Sequence, residues 1–296
     1  MILVDIGNSG LRAARAEQIG LGKTVERSEI FKLSWSSIGK EILKHQPQRS
    51  SIANHRWVDP KQREGFRWLV DQLHQLDADA SPTIWRIASV NRVALEALQQ
   101  AIEEGSREAI NQRGAIVQIV DYRHCGINID VDFPDRVGID RILAARAALA
   151  WKSKHGYSHS PIIVVQAGTA LTVDWVSASG AFQGGAILPG AGLALQYLAA
   201  GTDQLPWLPT ESIDSLPPLP GKNTEQAIAA GVHASLVGGA KYLIERYRTS
   251  NHERSDNLIP VIISGGDGRL VQEHICAPVA YVENLVLLGL SLCQIP

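Results

Sequence analysis

Two short segments carry the residue types that phosphate chemistry uses. Asp5-Ile6-Gly7-Asn8-Ser9-Gly10 follows the apolar run Ile2–Val4, and Gln166-Ala167-Gly168-Thr169-Ala170 follows Ile163–Val165. Each reads as an apolar strand, a polar residue, a small or apolar residue, Gly, and then a side chain able to donate or accept a hydrogen bond. A glycine in such a turn can adopt positive φ and lets the backbone come close to a ligand. Successive N–H groups then form a concavity that binds anions. Asn8, Ser9 and Thr169 add side-chain donors. Asp5, beside the first loop, can hold Mg2+ through its water shell, because that ion usually keeps several waters. One such turn is most simply a tight hairpin. Two of them, each opening one half of the chain, point to duplicated lobes that grip a nucleotide's phosphates.

A second constellation is Gly138-Ile139-Asp140-Arg141, at the start of a predicted helix. Asp140 falls in the first turn, where the helix dipole favours the ionised carboxylate. In phosphoryl transfer such a group orients a hydroxyl and accepts its proton late. Arg141 can pair with a substrate carboxylate, a geometry that suits guanidinium; simple helix capping is the plainer alternative for both residues. Ser264-Gly265-Gly266-Asp267 ends a strand, and Gly184-Gly185 and Pro189-Gly190 follow others. These make room for a ligand, with adenosine placed over Gly265–Gly266. Competing nucleotide motifs are missing from the sequence. No Gly-x-x-x-x-Gly-Lys-Ser/Thr occurs, and Gly20–Lys23 has the wrong spacing. No Gly-x-Gly-x-x-Gly follows a strand with a downstream acid. His155 and His159 are interrupted by Gly156 and Pro161, which argues against zinc. His124-Cys125 reads as a local pair.

The elements that must position these residues alternate. Strands are predicted at Ile2–Asp5, Leu11–Glu17, Val25–Leu33, Arg86–Val90 and Ala115–Asp121. Helices are predicted at Ser37–His45, at Pro60–Leu76 with Phe66, Leu69, Val70 and Leu73 on one face, and from an Asn91 cap to Glu104. The second half restarts with a helix over Gly138–Trp151. Strands follow at Ile162–Val165, Thr169–Val176 and Phe182–Leu188, then a helix over Pro189–Leu198. A long helix runs from an Asn223 cap to Arg246, Val261–Ser264 is a strand, and Leu285–Leu292 is an apolar helix. Leu205–Gly221 holds five prolines and reads as a mobile loop or lid. Two similar runs of strands and helices indicate an α/β protein of two lobes, here drawn as residues 1–122 and 123–296.

The composition is that of a globular enzyme: 296 residues, 45% hydrophobic, 20% charged and 26 glycines. A net charge of −2 argues against a nucleic-acid partner, which usually demands a basic patch. No run of 18 apolar residues suggests a membrane span, and the N-terminus reads as a buried strand rather than a signal peptide. Cys125, Cys276 and Cys293 are odd in number and lack Cys-x-x-Cys spacing, so reduced thiols and a cytoplasmic location are expected.

In their order along the chain these pieces resemble the type III pantothenate kinase family, within the superfamily of actin-like and sugar-kinase-like ATPases. The resemblance runs from Asp5 to Leu290. It is carried by Asp5-Ile6-Gly7-Asn8-Ser9, Pro134-x-x-x-Gly138-Ile139-Asp140-Arg141, Gly168-Thr169-Ala170-x-Thr172-x-Asp174, Gly184-Gly185-x-Ile187-x-Pro189-Gly190, Thr202-x-x-Leu205-Pro206, Asn223-Thr224 and Gly265-Gly266-Asp267. It implies two duplicated ribonuclease-H-like lobes with the active site in the cleft between them, a homodimer, and transfer of the ATP γ-phosphate to the primary hydroxyl of pantothenate, the first step of coenzyme A synthesis. By position, Asp5, Ile6, Gly7, Asn8, Ser9, Gly10, Leu11 and Arg12 resemble the first ATP-binding segment, with Gly168 and Thr169 as further ATP contacts. Gly138, Ile139, Asp140 and Arg141 resemble the pantothenate-binding segment, with Asp140 as proton acceptor, and Thr202 resembles a further substrate contact. The implied cofactors are Mg2+ with ATP and a monovalent cation, potassium or ammonium.

Two positions depart from the family. Gln166 stands where an aspartate associated with the monovalent cation is expected, so potassium dependence should be weakened or absent. Val131 stands where an aromatic substrate contact is expected. Another sugar or acid kinase of the same superfamily, or a nucleotide-binding regulator that has lost catalysis, are the alternatives. Retention of Asp5, Asp140 and Arg141 speaks against the regulator, which needs no proton acceptor.

Overall fold

The computed structural model describes residues 1–20, 30–35, 63–75, 82–108, 114–250 and 259–295. The chain divides into two compact units. The first holds Met1–Gly126, Gly138–Leu143 and Val286–Pro296, and the second Ile127–Val137 and Ala144–Leu285. The boundary read from the sequence falls after residue 122. The structure instead gives the segments at 138–143 and 286–296 to the first unit.

In the first unit Ile2–Ile6 (β1) pairs antiparallel with Gly10–Arg15 (β2), and β2 pairs antiparallel with Phe31–Ser34 (β3). On its other side β1 runs parallel to Thr83–Ser89 (β4), and β4 parallel to Ala115–Ile119 (β5). The order is β3-β2-β1-β4-β5. Strand alternation decides which side chains face the helices. Ile2, Val4, Ile6, Leu11, Ala13, Trp85 and Ile87 form one buried cluster with Phe66, Leu69 and Leu73 of Arg63–His74 (α1) and Leu98 and Ile102 of Arg92–Glu108 (α2). Leu3, Asp5, Arg12 and Ala14 therefore occupy the opposite face, with Asp5 paired to Arg12 in the β1–β2 register. The Asn91 cap is present: its Oδ1 accepts the Ala94 N–H at 3.1 Å.

The second unit repeats this path. Ile162–Ala167 (β6) pairs antiparallel with Ala170–Val176 (β7), which pairs antiparallel with Phe182–Pro189 (β8). β6 then runs parallel to Val261–Ser264 (β9), and β9 parallel to Val279–Tyr281 (β10). Read from β8 the order is β8-β7-β6-β9-β10, strand for strand that of the first sheet. The duplicated α/β architecture expected from the two glycine turns is thus realised in the connectivity, as is the ribonuclease-H-like fold that the family resemblance implied. Helix Ile139–Lys154 (α3) begins in the first unit and continues in the second. Thr224–Ser250 (α5) starts at Asn223, whose Oδ1 accepts the Gln226 N–H at 2.8 Å. By length and composition α5 could cross a membrane. Its Ile228, Val232, Leu236, Ala240 and Ile244 instead pack on Ile163, Val165, Leu171 and Val173 as the core of the unit.

Several element assignments change. The helix expected at Ser37–His45 lies outside the described residues, and of the strand expected over Val25–Leu33 only the end falls within them, in β3. Pro189 does not open a helix: its pairing with Ala170 makes it the last residue of β8, and Ala191–Ala200 (α4) follows the cap residue Gly190. Gly268–Gln272 (α6) and the three-residue strand β10 are too short for periodicity to reveal. The proline-rich segment is anchored rather than loose. It contains a 3-10 turn at Thr210–Ile213, with Ile213 buried in the core and Leu205 and Leu208 packed against the same cluster. Leu285–Ser291 (α7) ends the regular structure.

Candidate active site

The β1–β2 hairpin is closed by the Gly7 N–H donating to the Gly10 carbonyl at 2.8 Å. Trp35 braces it from behind: its indole N–H donates to the Gly7 carbonyl at 3.1 Å and its backbone N–H to the Ser9 carbonyl at 3.1 Å. Asn8 and Ser9 are left exposed at the tip. Gly10 has an internal reason to be glycine, since a Cβ there would lie 2.2 Å from the Leu33 carbonyl oxygen. Gly7 and Gly168 do not take the positive φ expected of them; among the described glycines it belongs to Gly126, Gly156, Gly180, Gly184 and Gly265. At Gly168 a Cβ would meet open space. Neither backbone angle nor internal packing requires glycine there.

Asp5 is half-buried beneath this hairpin, in register with Arg12 and Ala88. Burial lifts its pKa to about 6, Arg12 acts against the rise, and the charge of Asp140 adds to it. Asp140 sits in the first turn of α3, where its Oδ1 accepts the Arg141 N–H at 2.9 Å. A Cβ at Gly138 would lie 2.6 Å from that same oxygen, so glycine at 138 is what lets the carboxylate fold back over the helix start. Burial raises the pKa of Asp140, against the pull of the Arg141 N–H and its guanidinium. This corrects the expectation of a favoured ionised form: desolvation outweighs the helix start. A carboxylate so shifted is a better proton acceptor than an ordinary aspartate. Ile139 and Arg141 are half-buried beside it.

In the second unit three turns gather on one stretch of backbone. Gly168 N–H donates to the Ala170 carbonyl at 3.1 Å, Gly190 N–H to Thr169 at 3.1 Å, and Asp267 N–H to Ala167 at 3.1 Å. Added Cβ atoms would lie 1.9 Å from the Gly168 oxygen at Gly190, and 2.0 Å from the Ala167 oxygen at Gly265, which also has φ +101°. Thr169 is exposed at the tip, and Gly266 faces open space. The predicted Gly168, Thr169, Gly265 and Gly266 are therefore brought together. Asp267, which sequence reasoning left without a role, joins them. Burial and the like charge of Asp214 raise its pKa, while the Ala191 N–H lowers it.

Because the two sheets share a topology, positions can be matched between them. Gln166 occupies the place of Asp5, and Thr172, its β7 partner, that of Arg12. An acid–base pair in one unit is thus a neutral pair in the other. Ser264 pairs with Gln166 on the other side, and the buried Thr172 hydroxyl has no hydrogen-bond partner among the described residues.

The pair Gly184-Gly185 has internal causes. Gly184 takes φ +84° with Val131 3.6 Å from where its Cβ would be, and a Cβ at Gly185 would lie 2.3 Å from Oδ1 of the fully buried Asp174. Thr202 is exposed just past α4, its hydroxyl donating to the Leu198 carbonyl at 2.7 Å. His124 is paired with Asp121 rather than with a nucleophile. No group of three or more His, Cys, Asp or Glu among the described residues could hold a metal. One carboxylate completed by water and phosphate oxygens is the pattern that suits Mg2+, and the partly exposed Asp5 fits it.

A family model of type III pantothenate kinase matches residues 1–246. A type III pantothenate kinase of Rhodopirellula baltica is 38% identical over 212 residues, 71% of this chain and 71% of that protein. Another, from Janthinobacterium sp., is 33% identical over 245 residues, 78% of this chain and 88% of its own. Among solved structures, an inorganic polyphosphate/ATP-glucomannokinase from Arthrobacter sp. strain KM aligns over 98% of this chain and 96% of its own. Its identity is 13% and its TM-score 0.41, a likeness that carries no weight here.

Proposed function

The chain belongs to the type III pantothenate kinase family, and from that premise we propose how its residues divide the family's work. The protein is a kinase that phosphorylates pantothenate at the expense of ATP, in coenzyme A biosynthesis. The γ-phosphoryl group moves to the substrate's primary hydroxyl, ADP leaves, and the hydroxyl proton is taken up by the carboxylate of Asp140. The observation that carries this assignment is the carboxylate of Asp140, folded back over Gly138 with its pKa raised by burial. Arg141 is the partner for the carboxylate of pantothenate, with Gly138 and Ile139 forming the floor beside it.

The ATP phosphates lie on the exposed tip Asn8–Ser9 and its backbone, with Gly168 and Thr169 as further contacts, and the adenosine lies on Gly265–Gly266. The open space at Gly168 and Gly266 supports this reading. Asp5 would hold Mg2+ through water. The ion, when bound, would neutralise charge that develops on the phosphate oxygens. A monovalent-cation requirement is reduced, because Gln166 supplies an oxygen without a charge. A homodimer rests on the resemblance, and a cytoplasmic location on the cysteine content.

The test is direct. Purified protein incubated with Mg·ATP and pantothenate should yield phosphopantothenate by mass spectrometry, and Asp140→Asn should not. Equal product from both proteins would remove Asp140 from its role, and no product from folded wild type would remove the activity.

A further inference from the structure

The Gly265–Gly266 turn is held from two sides. On one, the Ala167 carbonyl accepts the Asp267 N–H at 3.1 Å, tying the turn to the residue that precedes Gly168 and Thr169. On the other, the Gly265 carbonyl accepts the phenolic O–H of Tyr281 at 2.9 Å. Tyr281 ends β10, the edge strand of the second sheet. Next to it, the Val282 N–H donates to the Ile263 carbonyl at 2.8 Å, so the strand end is fixed to β9. The Tyr281 ring is itself held. The Arg269 guanidinium lies over it at 4.1 Å from the centroid, a cation–π distance. A Cβ at Gly268 would come within 2.9 Å of its Cε2, so glycine at 268 is what lets the ring close on the turn. Gly265 is at φ +101° with no room for a side chain, a conformation open to glycine and strained for any other residue.

We propose that Tyr281 is a positioning residue for the nucleotide: its hydroxyl fixes the Gly265 peptide, and through Asp267 and Ala167 the adenosine-side turn stays in register with the Gly168–Thr169 phosphate loop. This rests on the assignment of those two turns to ATP. Tyr281 need not touch the nucleotide. Its contribution is to hold ready a backbone that would otherwise have to be ordered on binding, a cost that appears in affinity.

Tyr281→Phe keeps the ring under Arg269 and removes only the O–H. Binding of Mg·ADP, measured by calorimetry without pantothenate, should weaken about fivefold, the worth of one ordinary hydrogen bond. In turnover the KM for ATP should rise by a similar factor, with kcat and the KM for pantothenate unchanged. The melting temperature of the nucleotide-free protein should stay within a few degrees of wild type. Unchanged Mg·ADP affinity in Tyr281→Phe, with or without a lower melting temperature, overturns this inference while leaving the kinase reading intact. A folded wild-type protein that binds no Mg·ADP overturns both.

Discussion

The charge of Asp140 reaches Asp5: it adds to burial in lifting the Asp5 carboxyl to about 6, while Asp140 itself is governed by burial and by Arg141. The two acids lie at the ends of different elements, β1 and α3, yet within one compact unit. Their coupling opposes the ionisation of Asp5 while Asp140 is charged. It also links the proposed proton acceptor to the proposed metal-side carboxylate.

Asp140→Asn removes the acceptor and keeps the shape. It should lower kcat by about 10²- to 10⁴-fold, the usual worth of acid–base assistance, with Mg·ATP affinity at neutral pH retained. It should also move Asp5 below about 6, because a like charge that raised it is gone. Carboxyl chemical shifts followed by NMR over pH 4–8 would read this, and an Asp5 midpoint unmoved by the substitution would contradict the coupling.

Asp5 is held at a cost to stability. A carboxyl whose folded pKa is about 6 against the ordinary 3.8 contributes stability that is full below the unfolded value and lost as pH rises through 6. At pH 7.5 Asp5→Asn should therefore stabilise the protein, by at most about 3 kcal/mol, less whatever Arg12 loses with its partner. At pH 4 the gain should vanish. Activity should fall sharply at both pH values. Thermal melts at the two pH values check the sign, and equal melting shifts at both would contradict it.

Gly168 and Gly190 touch the same turn and should respond in opposite ways. Gly168→Ala places a methyl in open space at a residue that does not need positive φ, so the melting temperature should hold or rise slightly. The KM for ATP should rise at least tenfold, because the methyl occupies the approach to the phosphates. Gly190→Ala drives a methyl to 1.9 Å from the Gly168 oxygen and should lower the melting temperature by several degrees. Gly168→Ala with unaltered nucleotide affinity would remove that loop from the ATP site.

Much of this was legible in the sequence because it depends on local pattern. Apolar strands ending in glycine turns revealed the duplication, and the caps Asn91 and Asn223 were identifiable from residue type alone. What escaped depended on long-range packing. The reasons for glycine at 10, 185 and 190 are the Leu33, Val173 and Gly168 carbonyls, which nothing in the local sequence announces. The raised pKa of Asp140 is a burial effect that its helix-start position argued against. Tyr281 sits in a three-residue strand, and its link to Gly265 spans sixteen positions. The Asp5–Gln166 correspondence was visible as an alignment of two segments. That Thr172 answers to Arg12 required the strand register.

Gln166 predicts weak dependence on the monovalent cation. Replacing sodium by potassium should change kcat/KM for wild type by less than about twofold, an effect under about 0.4 kcal/mol. Gln166→Asp, which supplies a charge next to Thr172 and Ser264, should bring in a potassium response. Strong potassium activation of the wild type would contradict this reading of Gln166.

The central claim is tested most directly by ADP release from Mg·ATP by the purified protein, with and without pantothenate, in sodium and in potassium buffer. The account predicts pantothenate-dependent release in both buffers, lost in Asp140→Asn. A folded protein that binds Mg·ATP but shows no pantothenate-dependent release in either buffer would contradict it, and would favour a regulator that kept the fold without the chemistry.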